Sequence, residues 1–300
     1  MRREAASDRK RGNTLGFWFF TVSVRIFGLS GAYGLLYPVS LYYLLFDRAA
    51  VAASMAYVKR RFKQHNFLQR IFDVYRLFVS QGKNLIDRFV AVAGGGDFDV
   101  EVLGYERVMN ILANSERGII LLTAHIGNWQ LVMPSLKKLE KTVYLLMRPE
   151  DNHAVKRALK IHDGTDAIRI ISSENFLGGV LESMKALNEG SIVSIMGDRT
   201  YGHNSTSAAF LGEKVDFPSG AFSIAAAAGC PVIVLLSAKV GKRNYVLDLT
   251  NVIEPRYRNR EKRQEDIQAS VQAFASVLEK YVDRYPFQWF VFRDVWQGNA

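Results

Sequence analysis

The sequence predicts an α/β protein: a layered, mixed or mostly parallel sheet flanked by helices, with an N-terminal apolar segment that anchors it to a membrane. Three observations lead there. Short apolar runs rich in β-branched residues recur after residue 100, as strands of a covered sheet do. Helical patterns lie between those runs, the alternation that builds layered α/β folds. The stretch from Phe27 to Phe46 holds twenty residues without a charge, about enough to cross a hydrocarbon core.

The N-terminal segment comes first in the chain. "MRREAASDRKRGN" is basic and polar, and the apolar run that follows carries one charge, Arg25. Trp18, Phe19, Phe20, Tyr33, Tyr37, Tyr42 and Tyr43 give it the aromatic density favoured at membrane interfaces. Basic residues stand on both sides, with Lys59, Arg60, Arg61 and Lys63 after it, so charge gives no orientation. A spanning, interfacial or re-entrant segment all fit. Pro38, with Gly28, Gly31 and Gly34, is expected to break or kink a long helix here. Residues 1–48 are therefore assigned to the basic N-terminus and anchor, and 49–300 to a single further domain, since no repeat or linker divides them.

Residues 56–89 place Phe67, Ile71, Val74 and Leu77 at three- and four-residue steps, which predicts an amphipathic helix. "AGGGDFDV" breaks it; without a following Lys-Ser or Lys-Thr the glycines read as a turn, not a phosphate loop. "GIILLTA" (118–124), "TVYLLM" (142–147), "IRIIS" (168–172), "SIVSIM" (191–196), "CPVIVLLSA" (230–238) and "YVLDLT" (245–250) read as strands. "NWQLVMPSLKKL", "NHAVKRALKI" and "NFLGGVLESMKALNEG" between them read as helices. Late in the chain Ile267, Val271, Phe274, Val277 and Tyr281 share one face of a surface helix.

The formal charge of +10, from 39 basic and 29 acidic residues, suits a polyanionic partner. Nucleic acid is disfavoured, because zinc-finger spacing, RRM-type aromatics and a basic dimerisation region are all missing. A single cysteine, Cys230, excludes an intramolecular disulfide framework and multi-cysteine metal sites, and reads as buried filler. His65, His153, His162 and His203 have no ligand spacing, so no metal is expected.

In open α/β sheets the working residues gather where strands end. Those ends carry His125, Arg148, Ser172, Ser173, Asp198 and Arg199. His125 sits in "TAHIGNWQ", placed to act as a general base on a hydroxyl. Five residues on stands Gln130, which meets the histidine only if the chain bends, and Gly127 supplies the freedom for that.

"ERGIILLTAHIGNWQ" resembles the signature block of the bacterial lipid A acyltransferases of lauroyl/myristoyl type, within the glycerolipid acyltransferases with a His-x4-Asp/Glu motif. "MGDRT" (196–200) is similar to their Asp-containing segment, and "FLGEKVDFPSGAFSIAAAAGCPVIVLL" to their Phe-Pro-x-Gly loop with its small-residue helix and strand. "YPFQWFVFRDVW" resembles their closing Gln-Trp segment, and the apolar anchor fits as well. These blocks stand in the family's order over nearly the whole chain.

The resemblance implies that residues 49–300 form a membrane-associated O-acyltransferase of lipid A or glycolipid biosynthesis. It would move a fatty acyl group from an acyl carrier protein or coenzyme A thioester to a lipid or glycolipid hydroxyl. His125 would be the base, with Asp198 and Gln130 beside it in the catalytic group. Asn128, Trp129, Arg148, Arg199 and the Phe217-Pro218-x-Gly220 loop would contact substrates. The thioester would be a substrate, so no cofactor is expected. The location implied is the bacterial inner membrane, with the catalytic domain on its cytoplasmic face.

This chain departs from the pattern at Gln130, where the family has Asp or Glu. An amide oxygen accepts a hydrogen bond but supplies no negative charge. Three readings stay open. Asp198 reaches His125 from a neighbouring strand end, which is favoured; or Gln130 alone orients the base of an altered enzyme; or the protein binds lipid without turnover. On the favoured reading, Asp198→Asn removes most activity and Gln130→Glu raises it.

Overall fold

The computed structural model describes residues 14–92, 97–132, 139–148, 168–174, 176–200 and 204–297. Seven strands form one sheet in the order β1-β9-β8-β2-β5-β3-β4. They are β1 (Asp99–Leu103), β2 (Ile119–Thr123), β3 (Val143–Met147), β4 (Ile168–Ser172), β5 (Ile192–Met196), β8 (Val232–Lys239) and β9 (Asn244–Ile253). Neighbours run parallel except β8 and β9, which form an antiparallel pair. The sheet is thus mixed and mostly parallel, as the apolar runs predict.

Both faces of the sheet are covered, which explains why every residue of β2 is buried. Ile120 and Leu122, with Val232 and Val234 of β8, point into the larger core. There they meet Val58 of α2 (Arg48–Arg61), Val74 and Leu77 of α3 (Phe67–Val92), and Phe274 of the long C-terminal helix. Ile119 and Leu121 point the other way, toward Val108 and Leu112 of α4 (Tyr105–Asn114). Three further helices follow in the chain: α5 (Trp129–Val132), α6 (Val180–Asn188) and α7 (Gly220–Ala228), before α8 (Arg263–Arg284).

Several expectations need correcting. The helix expected over 56–89 is two helices, α2 and α3. Asn66 and Gln69 start α3 with a reciprocal cap: the Asn66 Oδ1 accepts from the Gln69 N–H at 2.9 Å, and the Gln69 Oε1 accepts from the Asn66 N–H at 2.8 Å. The stretch before the Phe-Pro-x-Gly motif is a β-hairpin, β6 (Ser205–Phe210) and β7 (Glu213–Pro218). Its two-residue turn, Leu211-Gly212, has φ of 53° and 87°, the primed geometry that matches strand twist. The helix expected from Asn175 begins only at Val180, because Gly178 and Gly179 hold φ of 65° and 76°. β1 was not foreseen. The helix pattern at 152–161 lies outside the described residues, as do residues 133–138 of the pattern that begins as α5.

The N-terminal segment forms α1 (Thr14–Phe46). Its non-helical residue is Gly28, at φ 66° and ψ −170°, and the helix continues through Pro38. Val22–Phe46 is long and apolar enough to cross a membrane by length and composition. One stripe of it, Leu29, Ala32 and Leu36, packs against Ile86 and Val90 of α3. The opposite side leaves Phe27, Leu41, Tyr42, Leu45 and Phe46 exposed, and α3 adds Phe67, Leu68 and Phe72.

Candidate active site

Strand register brings the site together. Thr123 of β2 pairs with Met196 of β5 in parallel register, so two residues further along each chain His125 stands beside Asp198. The His125 Nδ1 lies 2.8 Å from the Asp198 Oδ1. The Asp198 Oδ2 accepts the His125 backbone N–H at 2.8 Å and the Trp289 indole N–H at 2.9 Å. Asp198 is fully buried, while the imidazole keeps 24 % of its side-chain surface open.

Burial on its own would raise the Asp198 pKa. The charge and hydrogen bond of His125, with Arg199 nearby, outweigh it and hold the carboxyl at about 2. Asp198 is therefore a carboxylate at neutral pH and accepts a hydrogen bond from the His125 Nδ1–H. This leaves the Nε2 lone pair as the free basic atom of the ring.

A segment from the far end of the chain locks this pair. The Phe290 N–H donates to the His125 carbonyl at 2.7 Å, the Gly127 N–H donates to the Gln288 carbonyl at 2.8 Å, and Ile126 bridges antiparallel to Trp289. Gln288 in turn grips Lys239 at the end of β8: its Oε1 accepts the Lys239 N–H at 2.7 Å, and its Nε2 donates to the Lys239 carbonyl at 2.8 Å. Arg199 donates to the Phe290 carbonyl at 2.8 Å.

The turn after His125 depends on Gly127, whose φ is 62°. A Cβ there would lie 2.0 Å from the Ser237 carbonyl oxygen, a collision with backbone. Gly127→Ala combines left-handed strain with that overlap, and is expected to cost on the order of 3 kcal/mol. A lowered Tm in thermal denaturation, together with lost activity, would be the readout. Asn128 completes the turn: its N–H donates to the Ser237 Oγ at 3.0 Å and its Nδ2 to the Asn84 carbonyl at 2.8 Å. The Asn84 Nδ2 donates back to the Gly127 carbonyl at 3.0 Å.

His125 opens into a cavity of about 710 Å³, within the range of small-molecule and cofactor sites. Asn128, Trp129, Arg148, Arg199, Pro218 and Gly220 line it, as does Gln130. Leu146, Met147, Ile195, Met196 and Phe292 supply apolar wall. Phe217 differs from expectation. It is 1 % exposed, packs edge-on against Phe210 and Phe274 in the core, and is not among the described lining residues. Cys230 is buried, and burial pushes its thiol up to about 11, leaving no thiolate nucleophile.

Gln130 is oriented differently from the sequence reading. The imidazole Nδ1 is engaged by Asp198, and the Gln130 Oε1 accepts a hydrogen bond from the Arg88 guanidinium. A carboxylate placed at residue 130 would thus meet Arg88, not a bare imidazole. Sequence reasoning also missed Trp289, Asn84 and Arg88. A signal for the last two existed: Gln81, Asn84, Leu85 and Arg88 follow i, i+3, i+4, i+7 spacing along α3, and all four line the cavity.

In this mixed α/β sheet a buried central strand thus ends at a carboxylate-backed histidine that opens into a cavity with both apolar and basic walls. Residues 61–298 match the family model described as bacterial lipid A biosynthesis acyltransferase, and the chain belongs to that family. No curated protein matches the chain.

Proposed function

We propose that the protein transfers a fatty acyl group from an acyl carrier protein or coenzyme A thioester to a hydroxyl of a membrane lipid or glycolipid, with His125 as general base. The observation that carries this reading is the buried Asp198 behind a partly open imidazole that faces a cavity with apolar walls. Nε2 takes the hydroxyl proton as the acceptor oxygen attacks the thioester carbonyl. Asp198 holds the imidazolium that forms. Collapse of the tetrahedral intermediate breaks the carbon–sulfur bond, and the imidazolium returns its proton to the departing thiolate. The ester and the free thiol are the products, and no acyl-enzyme is required.

The exposed apolar residues of α1 and α3 support a membrane-bound arrangement in which α1 lies partly on the domain and partly in lipid. Thioester donors of this kind are cytoplasmic, which puts the domain on the cytoplasmic face of the inner membrane. Changing Phe67, Leu68 and Phe72 together to serine is expected to weaken binding to anionic vesicles by on the order of 10-fold or more. Vesicle co-sedimentation of the full chain measures it.

The test of function uses membranes holding the full chain, labelled acyl-carrier protein or acyl-coenzyme A, and a lipid acceptor panel. Acceptor-dependent thiol release and labelled lipid product are expected from wild type and not from His125→Ala. Equal product from both proteins would remove the assignment of the base.

A further inference from the structure

A buried ionic cluster that the proton transfer does not use lies outside the described lining of the cavity, centred on Asp87 of α3. Asp87 is fully buried and accepts hydrogen bonds from the Lys239 ammonium at 2.5 Å, the Tyr245 hydroxyl at 2.5 Å and the Tyr33 hydroxyl. Lys239 ends β8, Tyr245 stands near the start of β9 and Tyr33 belongs to α1, so three elements meet on one carboxylate. The ammonium also donates to the Lys242 carbonyl at 2.7 Å, and lies 4.9 Å from the Tyr245 ring centre and 5.5 Å from that of Tyr33. Desolvation offsets much of the attraction within a buried ion pair, so net stability is a poor account of this cluster. Its bonds are directional, and they admit one arrangement of the elements that supply them. The rest of the α1–α3 contact has no such direction: Leu29, Ala32 and Leu36 meet Ile86 and Val90 by apolar packing alone.

Two routes run from Asp87 to the turn after the base. Asn84, three residues earlier on the same face of α3, has its Oδ1 3.3 Å from the Tyr245 hydroxyl. Its Nδ2 donates to the Gly127 carbonyl at 3.0 Å, and its carbonyl accepts from Asn128 at 2.8 Å. The second route passes through Lys239, whose backbone is gripped by the Gln288 side chain while the Gln288 carbonyl accepts the Gly127 N–H at 2.8 Å. Both end on Gly127, two residues beyond His125. We propose that Asp87 and Tyr33 are positioning residues: seating of the Tyr33 hydroxyl on Asp87 sets the rotation of α3 and, through Asn84, the turn that carries His125. The apolar N-terminal helix then takes part in turnover as well as in attachment. This rests on the acyl-transfer reading above.

The test uses the full chain in neutral detergent and begins with Tyr33→Phe, which removes the hydroxyl and keeps the ring. The kcat is expected to fall about tenfold, with KM for the thioester unchanged and Tm near that of wild type. Hydrogen exchange, followed by mass spectrometry, is expected to quicken in the peptide from Gly118 to Val132 and not in β4 or α8. In an Asn84→Ala background the same change should add little further loss, because the route it acts through is already cut. Asp87→Leu combined with Lys239→Met replaces the ion pair by apolar groups, a change that usually preserves folding; it is expected to lower kcat about 10²-fold. Leu112→Ala, in the core on the other face of the sheet, is the stability control and is expected to lower Tm and leave kcat as in wild type. Wild-type kcat and wild-type exchange in Tyr33→Phe overturn the positioning role, as does a loss of kcat that Leu112→Ala reproduces. If the wild-type protein transfers nothing while Tyr33→Phe still quickens exchange at the turn, the acyl-transfer reading falls and the coupling stands. If it transfers while Tyr33→Phe matches it in both readouts, only the coupling falls.

Discussion

His125→Ala is expected to lower acyl transfer by about 10²–10⁴-fold, the usual contribution of a positioned base. The imidazole is part-exposed and, among the described residues, its ring hydrogen-bonds to Asp198 alone, so the fold should tolerate its removal. The loss should fall on kcat, with thioester and lipid binding retained, because the ring touches the reacting proton and not the acyl chain. Pre-steady-state thiol release measures it. A variant that keeps wild-type kcat would show that another group does the deprotonation.

Asp198→Asn is expected to be as damaging, on the order of 10²–10⁴-fold, and the geometry says why. Two N–H donors, from the His125 backbone and Trp289, converge on the Oδ2 position. The asparagine oxygen must occupy that position to accept them, which turns the NH₂ toward Nδ1. Nδ1 then has to accept, the proton moves to Nε2, and the ring presents a donor where a base is required. The diagnostic is a lost kcat with a ¹⁵N signature of the opposite imidazole tautomer. Flipping the amide to save the tautomer would leave the Trp289 and His125 N–H groups facing an NH₂, and would appear as a lower Tm instead.

Asp198 also predicts an acid limit. Its pKa is held at about 2 in the folded protein, below the ordinary 3.8. The stabilisation from its ionised form is complete above 3.8 and disappears as pH falls toward 2. Asp198→Asn should therefore flatten the dependence of Tm on pH across that interval, while leaving it unchanged near neutrality.

The strands that face two layers were legible because burial on both sides writes an apolar run: "GIILLTA" (118–124) encloses β2, and "CPVIVLLSA" falls mostly on β8. β1, "DVEVL", and β6, "STSAAF", carry no such run, since an edge strand and a hairpin outside the main sheet face solvent on one side. The neighbourhood of Asp198 and His125 followed from the rule that strand ends converge. The partner of Gln130 did not, because it sits on α3, forty-two residues upstream. Trp289 stands in the block "YPFQWFVFRDVW", which by itself marks only a resemblance to the family. No local pattern tells that an indole so distant in sequence will donate to the carboxylate behind the base.

That last contact has a bearing on biosynthesis. The residues that fasten Asp198 and the His125 turn, Gln288 to Phe290, come after both in the chain, separated from Asp198 by the hairpin, α7, β8, β9 and α8. A nascent polypeptide leaving the ribosome has its β2 and β5 strands long before it has the indole and the carbonyls that finish the base. On the proposed mechanism, catalytic competence should thus switch on late and abruptly, so that a half-made chain stays chemically silent until synthesis has passed Phe290.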